Sequence, residues 1–246
     1  MLTFFKSKSK LADLIPKGYV DIHSHVLPGI DDGSKSLDET IMLIEGMSML
    51  GIEGCVPTPH TLAYVWDNSK QEILDNYAAT KEKLPLHLKK MLLNVATEYM
   101  VDDTFLERIK TEPLLTIVEK FVLIEMSYLN PFFDFSKVLF ELQMMGYQPI
   151  LAHPERYLYY HKEKNAYYRL KELGCLFQLN LLSTVGYYGK EVATVSDYLL
   201  KNNLVDFVGS DIHHQRHLSA FNNKVIIKSE NELHDSMKNN SKLVLF

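Results

Sequence analysis

The chain alternates between short apolar runs and longer segments in which apolar residues recur every three or four positions. The short runs predict buried parallel strands. They cover residues 19–26, 54–57, 92–97, 121–124, 149–152, 175–179 and 206–209. The longer segments predict helices, the first opening at a Ser36–Glu39 capping-box pattern and the others covering residues 70–84, 102–110, 135–145, 165–173, 192–201 and 229–238. Such alternation predicts a parallel sheet with crossover helices, and seven repeats favour a closed or nearly closed barrel.

Histidines and carboxylates recur just after the strand-like runs. These residues are His23, His25, Asp32, His60, Glu98, Glu125, His153, Asp211 and His213. Imidazole nitrogens and carboxylate oxygens are the ligands that borderline and hard divalent metals take. Because ligands and catalysts gather at the carboxyl ends of barrel strands, the pattern predicts a metal site at that face.

Two of these elements have strand geometry. Alternate residues of a strand point the same way, so His23 and His25 share a face, and Asp211 and His213 repeat the arrangement on the last predicted strand. First and last strands are neighbours when a barrel closes. Four residues between them are isolated in the sequence: His60, Glu98, Glu125 and His153. Each alone could be a helix cap, a turn acid or a satisfied polar group, but this explanation is poor for all four together. We expect the remaining histidines to be surface residues: His87, His161, His214, His217 and His234.

Composition fits one globular domain. The chain has 246 residues, 46% of them hydrophobic, and we expect an N-terminal extension over 1–18 and a single domain over 19–246. A net charge of −5 argues against nucleic-acid binding. Cys55 and Cys175 lie in strand-like contexts and read as small buried hydrophobes. No secretory signal or membrane span is evident, so we expect a cytoplasmic protein without stable membrane insertion.

The motifs resemble those of the polymerase-and-histidinol-phosphatase (PHP) superfamily. Asp21-Ile-His-Ser-His25, a distant His and Glu, Ala152-His-Pro and Ser210-Asp-Ile-His213 occur in that order over nearly the whole chain. The strings from His25 to Gly33 and from Ala152 to Tyr157 resemble more narrowly the bacterial PHP tyrosine phosphatases of capsule and exopolysaccharide loci. This resemblance implies a distorted (β/α)7 TIM-like barrel. It also implies hydrolysis of phosphotyrosine on the tail of a bacterial tyrosine kinase, the kinase being one that regulates polysaccharide export.

The resemblance also implies three divalent ions, manganese first, with iron, cobalt or zinc as alternatives. One ion would be held by His23, His25, Glu98 and Asp211, a second by Glu98, Glu125 and His153, and a third by Asp32, His60 and His213. Clustered ions lower the pKa of bound water to about 7, which would supply a hydroxide to attack phosphorus. We expect Arg156, three residues past His153, to bind the phosphate, and Arg216, three residues past His213, to be a second candidate.

The segments after the ligands are aromatic. Tyr64 and Trp66, Tyr128 with Phe132 and Phe133, Tyr157 with Tyr159 and Tyr160, and Tyr187 with Tyr188 are candidates to stack on a phosphotyrosine ring.

A cysteine-based tyrosine phosphatase would need an arginine six positions after its cysteine, where this chain has Thr61 and Leu181. Three other hypotheses stay open. The chain could be a PHP phosphoesterase for a small metabolite such as histidinol phosphate, although such members usually carry His where this chain has Asp32 and Glu125. It could also have a nuclease or proofreading role, or be a non-catalytic, metal-containing regulator that binds the kinase tail. Oligomeric state is not evident from the sequence.

Overall fold

The structure is a computed structural model that describes residues 8–244. Its strands are β1 (Val20–Asp21), β2 (Gly54–Cys55), β3 (His60–Thr61), β4 (Glu98–Met100), β5 (Phe121–Glu125), β6 (Gln148–Ala152), β7 (Leu176–Asn180) and β8 (Phe207–Gly209). Its α-helices are α1 (Leu37–Met49), α2 (Lys70–Lys83), α3 (Leu86–Lys89), α4 (Phe105–Thr111), α5 (Phe135–Met144), α6 (Asn165–Glu172), α7 (Lys190–Lys201), α8 (Gln215–Ala220) and α9 (Glu230–Val244).

All strand pairs between these elements are parallel. Strands β3 to β8 form one sheet in chain order, and β1 pairs with β2. Backbone contacts join the two sheets on both sides: Cys55 bridges Leu92, and the backbone N–H of His25 donates to the Ile212 carbonyl at 2.9 Å. The last strand therefore lies beside the first, and extended segments follow one another around the molecule. This arrangement confirms the predicted α/β, TIM-like class.

The region from 54 to 61 contains two short strands where the apolar pattern predicted one strand at 54–57. Pro57 and Pro59 lie between β2 and β3, and proline has no N–H to donate to a ladder. Val56 and Thr58, which do have one, donate to the carbonyls of Asp21 and Ser24. The chain thus stays extended beside β1 although the regular pairing is interrupted.

Other boundaries also differ from the prediction. The run at 92–97 pairs regularly only after its end, at Glu98–Met100. Helices α3 and α8 were missed because four and six residues are too few to show a helical period. Ser36 caps α1 by accepting from the Glu39 N–H, but the Glu39 carboxylate accepts from the Lys35 N–H at 2.7 Å, so the predicted capping box is incomplete.

Residues at the N-terminal side pack against the body of the molecule. Leu11 is buried, and its N–H donates to the Asn223 carbonyl at 3.0 Å. Residues 1–7 of the predicted extension lie outside the described residues, and the division at residue 18 stays a prediction. Cys55 and Cys175 are buried free thiols, as expected. Within residues 8–244, no helix is long and apolar enough to cross a bilayer.

Candidate metal centre

The nine predicted ligands meet at one end of the parallel strands. Glu125 closes β5 as predicted, whereas His60 and Glu98 open the short strands β3 and β4, where they are partners in register. His153 directly follows β6, and Asp211 lies two residues past β8. The structure groups their ligand atoms into four overlapping sets, in each of which all atoms lie within 4.8 Å of one another: His25, Asp32, His60 and His213; His23, Glu98 and His153; His23, His25 and Asp211; and His60, Glu98 and Glu125.

The first histidine pair is held in one orientation by acceptors on its outer nitrogens. His23 Nδ1 lies 2.7 Å from Gln178 Oε1, and His25 Nδ1 lies 2.7 Å from Asp31 Oδ2. Because both partners are oxygen acceptors, each neutral ring carries its proton on Nδ1 and keeps a lone pair on Nε2. The two Nε2 atoms are 3.2 Å apart. Two lone pairs that face each other at this distance are the arrangement that a shared cation stabilises.

The neighbouring carboxylates fit the same interpretation. Glu98 Oε2 lies 3.2 Å from His23 Nε2, and Asp211 Oδ1 lies 3.4 Å from it. His60 Nδ1 is 3.1 Å from Glu98 Oε2 and 3.0 Å from Glu125 Oε1. Although these distances are short, the contacts do not have hydrogen-bond geometry. Both His60 Nδ1 and Glu98 Oε2 are therefore buried atoms without a hydrogen-bond partner among the described residues. Buried polar atoms are normally satisfied, so this pair is the kind of exception that a metal explains.

The potential of the site favours cations. Burial lowers the pKa of His23, but the carboxylates of Glu98 and Asp211 outweigh it and raise that pKa to about 9. Burial opposes ionisation of Glu98, but His23 and His60 hold its pKa well below the usual range. Ionised carboxylates concentrated in a buried place attract divalent ions, and the ions must then displace the protons that the histidines would hold.

The outer part of the centre is more open. Asp32, whose side chain is half exposed, places Oδ1 3.4 Å from His213 Nε2 and 3.6 Å from His60 Nε2. The rings of His25 and His213 stack with centroids 3.9 Å apart. On the other side, His153 Nε2 lies 2.9 Å from Glu98 Oε1. The sets agree with the predicted assignment only in part: Asp32, His60 and His213 group together with His25, and His23, His25 and Asp211 group without Glu98. Glu98 groups instead with His23 and His153, and separately with His60 and Glu125. The assignment of ligands to individual ions stays a prediction.

Several supporting residues were not predicted. Asp31 contacts His25, and also accepts from the N–H groups of Gly33 at 2.8 Å and His60 at 3.1 Å. Burial opposes its ionisation, but His25, the hydrogen bond from the Gly33 N–H and the charge of His60 hold the pKa of Asp31 below its usual range. A side chain at Gly33 would place Cβ 2.1 Å from the His25 carbonyl oxygen, so only glycine lets this loop close on the ligand. In the sequence, the run Asp31-Asp32-Gly33 beside a predicted ligand is the feature that could have indicated this support.

A second supporting network lies behind Asp211. Asn180 Nδ2 donates to Asp211 Oδ2 at 2.8 Å. The backbone N–H of Asn180 in turn donates to Glu155, which also accepts from the Ser183 hydroxyl at 2.7 Å. Burial raises the pKa of Glu155 to about 7. This chain of contacts fixes the carboxylate of Asp211 from the side opposite the histidines.

The two candidate arginines are placed differently. Arg156 lines the cavity at the centre: its Nη1 donates to Asp211 Oδ2 at 2.8 Å, and its guanidinium carbon lies 4.7 Å and 4.2 Å from the ring centroids of Tyr128 and Tyr188. Arg216 lies exposed on α8 and borders a neighbouring groove with Lys35 and Glu39 instead. That groove shares Asp32 and His213 with the cavity, but of the two arginines only Arg156 lines the cavity itself.

The cavity has a volume of about 460 Å³ and is partly aromatic. Trp66, Tyr128 and Tyr188 line it, as the aromatic segments predicted. Tyr157 is buried, whereas Tyr64 and Phe133 are 95% and 98% exposed and point elsewhere. Phe132 and Tyr160 border a separate groove against α6. Position after a ligand was therefore not enough to place a ring in the cavity.

His217 contradicts the expectation of a surface residue. It is buried, lines the cavity and accepts a hydrogen bond from the His213 N–H at 3.2 Å through Nδ1. Burial, with a contribution from His214, lowers its pKa to about 4. His214 also lines the cavity, although its side chain is exposed. Helix α8, which carries His217, gave no sequence signal because of its length.

The fold and the site together define a TIM-like α/β protein with a candidate metal centre at one end of its parallel strands. Residues 19–237 match the family described as capsular polysaccharide synthesis, CpsB/CapC. CapC of Staphylococcus aureus is 31% identical over 92% of this chain and 91% of its own length. CpsB of Streptococcus agalactiae, named a tyrosine-protein phosphatase, is 30% identical over 79% of this chain and 82% of its own length. The chain therefore belongs to the CpsB/CapC family.

Solved structures agree with this assignment. One described as YwqE from Bacillus subtilis and CpsB from Streptococcus pneumoniae, unique metal-dependent tyrosine phosphatases, matches with a TM-score of 0.78 at 25% identity, over 92% of this chain and 94% of that chain. An amidohydrolase from Mycoplasma synoviae matches with a TM-score of 0.54 at 14% identity, over 95% of this chain and 88% of that one, which bears on the fold alone. The family that the motifs resembled is confirmed.

Proposed function

We propose that this chain is a metal-dependent protein-tyrosine phosphatase of the cytoplasm. Its substrate would be phosphotyrosine on a bacterial tyrosine kinase that governs polysaccharide synthesis or export. The observation that carries the proposal is one cavity in which the unpaired ligand atoms of His60 and Glu98 lie beside an oriented arginine, Arg156. The names of the relatives support the same reaction.

The residues present fit three divalent ions, manganese first, with iron, cobalt or zinc as alternatives. His23, His25, Glu98 and Asp211 would hold the first ion, Glu98, Glu125 and His153 the second, and Asp32, His60 and His213 the third. Such ions would neutralise the phosphate oxygens and make a bound water acidic enough to be the nucleophile.

The chain's own contribution is to bind and orient the substrate. Arg156 presents planar N–H donors that suit two phosphate oxygens at once. Its contact with Asp211 and the flanking rings of Tyr128 and Tyr188 hold the guanidinium in place before substrate arrives. A phenolate is a fairly good leaving group, so protonation by a side chain is not required.

Substrate choice tests the proposal. We expect manganese-loaded protein to hydrolyse a phosphotyrosine peptide with a kcat/KM at least about tenfold higher than that for the matched phosphoserine peptide, about 1.4 kcal/mol. A phosphotyrosine side chain reaches farther into a recessed site and leaves more easily. Histidinol phosphate, assayed alongside, should be a poor substrate.

The control is the same protein after exhaustive chelation, which should be inactive until Mn²⁺ is restored. A strong preference for histidinol phosphate would make the chain a metabolite phosphoesterase. Phosphopeptide binding without turnover under every metal tested would make it a regulator. Full activity in protein shown to be metal-free by elemental analysis would refute metal dependence.

A further inference from the structure

One wall of the cavity is apolar, and it comes from two adjacent strands. We call Leu62, Trp66 and Met100 the apolar wall; all three line the same cavity as the ligands and Arg156. Met100 ends β4, and Leu62 and Trp66 belong to the turn that follows β3. Trp66 is the only tryptophan in the chain.

The turn holds Trp66 beside the metal ligands. Leu62 and Trp66 exchange both backbone hydrogen bonds, at 3.0 Å and 2.9 Å, so the ends of the turn are fixed to each other. The indole stacks on the imidazole of His60 with centroids 5.0 Å apart and planes 15° from parallel. The His60 carbonyl is in turn bound by Asn68 Nδ2 at 2.8 Å. Trp66 therefore has a fixed position relative to the place where phosphate would bind.

The tyrosines of the cavity are already engaged. Tyr128 and Tyr188 pack on the Arg156 guanidinium, and Tyr128 also stacks on His153 with centroids 5.5 Å apart. A ring linked to a bound phosphate through a single oxygen must lie close to the ligands, and it needs apolar surface there. Among the described residues that line the cavity, the apolar wall supplies such surface next to His60.

We propose that Trp66, supported by Leu62 and Met100, recognises the aromatic ring of the phosphotyrosine side chain. The inference rests on the proposed function, and it assigns the discrimination between aryl and alkyl phosphates to the turn after β3. Trp66 is a specificity residue in this interpretation. In the alternative interpretation, Trp66 stacks on His60 only to support this metal ligand and takes no part in recognising the substrate.

Binding of two inert analogues to metal-loaded protein separates these roles without relying on turnover. Phenylphosphonate carries the ring and methylphosphonate does not, while both present the same charged group. We expect phenylphosphonate to change the fluorescence of Trp66 saturably and to bind at least about tenfold more tightly than methylphosphonate. Equal affinities, or fluorescence that does not respond to the phenyl analogue, would overturn the proposal.

Three variants locate the effect. Trp66→Leu should lose about tenfold in affinity for phenylphosphonate and less than about twofold for methylphosphonate, with its metal content unchanged by mass spectrometry. Affinities of the variants are measured by isothermal titration calorimetry, because a variant at position 66 has no tryptophan left to report binding. Trp66→Phe should recover most of the loss because it restores a ring. Tyr64→Ala is the matched control, since Tyr64 lies at the tip of the same turn, 95% exposed and outside the cavity lining.

Parallel losses for both analogues, together with lower metal content, would show that Trp66 only supports His60. If Trp66→Leu keeps its metal and the wild-type ratio of phenylphosphonate to methylphosphonate affinity, the aromatic ring binds elsewhere. Neither result would bear on whether the wild-type protein hydrolyses phosphotyrosine, which is measured separately. Failure of this inference and failure of the proposed function can therefore be told apart.

Discussion

The loops after β6 and β8 start alike and end differently. Each begins with a predicted metal ligand in the left-handed region, His153 at φ +35° and Asp211 at φ +52°. Such backbone is costly for residues other than glycine and is characteristic of functional sites. Each loop also carries an arginine three residues after a ligand histidine. Only the first of these arginines, Arg156, reaches the cavity.

The backbone after the ligand explains the difference. Pro154 opens a single 3-10 turn that ends at Arg156, closed by the Arg156 N–H donating to the His153 carbonyl at 2.9 Å, and this turn brings the guanidinium back over the site. In the second loop Ile212 instead bridges Ser24 of the first strand segment, and His214 stays extended before α8. Arg216 is thus carried outward. Equal spacing in sequence does not place two side chains equally when the local backbone differs.

The largest expected effect comes from changing Glu98, a residue that both loops depend on. Glu98 links them, because His153 lies 2.9 Å from one of its oxygens and His23, a neighbour of Asp211, lies 3.2 Å from the other. We expect Glu98→Ala to lose metal and at least about 10³-fold in kcat/KM, about 4 kcal/mol. Metal analysis beside kinetics checks this. Glu82→Ala, on the exposed side of α2, is the matched control.

A double variant makes this test sharper. If Arg156 acts only on substrate held at the centre, then Arg156→Ala should cost little further activity once Glu98 is gone. Independent, additive losses would mean that the arginine works without the ligand cluster. Glu98→Ala with full metal content and full rate would show that the cluster is not the catalytic centre.

The second prediction compares the two arginines directly. Arg156→Ala should keep its metal but lose about 10²-fold in kcat/KM, about 3 kcal/mol. Arg216→Ala should stay within about threefold of wild type, because its side chain borders a different groove. Steady-state kinetics on p-nitrophenyl phosphate measures both. The reverse order of losses would place the phosphate clamp on α8.

The strand pattern and the convergence of the nine candidate ligands could be predicted from the sequence for a simple physical reason. Parallel strands buried on both faces leave continuous apolar runs, and their carboxyl ends converge, so polar residues that follow such runs come together. His153, after β6, and Glu125, at the end of β5, were found in this way although they are isolated in the sequence. The CpsB/CapC family confirmed the class that these motifs indicated.

The supporting contacts could not be predicted, because they depend on packing between distant segments. Gln178, which orients His23, lies 155 residues away in a buried strand, and nothing in its local sequence distinguishes it. His217 was expected at the surface because α8 is too short to show which face is buried. Arg216 was paired with Arg156 on spacing alone, and spacing carries no information on the turn that Pro154 imposes.

The smallest expected effect concerns how Arg156 is held. Tyr188 packs its ring 4.2 Å from the guanidinium carbon, and its hydroxyl lies 3.3 Å from Asn180 Nδ2. A partly desolvated cation–π contact is worth about 1 kcal/mol, so Tyr188→Leu should lose about fivefold in kcat/KM. Tyr188→Phe keeps the ring and should stay within about twofold. If Phe loses as much as Leu, the hydroxyl contact with Asn180 orients the site instead, and the rigidity of Arg156 would come from Asp211 and Tyr128 alone. The order Glu98, Arg156, Tyr188 follows from the proposed roles: Glu98 would hold the ions, Arg156 would bind the phosphate, and Tyr188 only holds Arg156 in place.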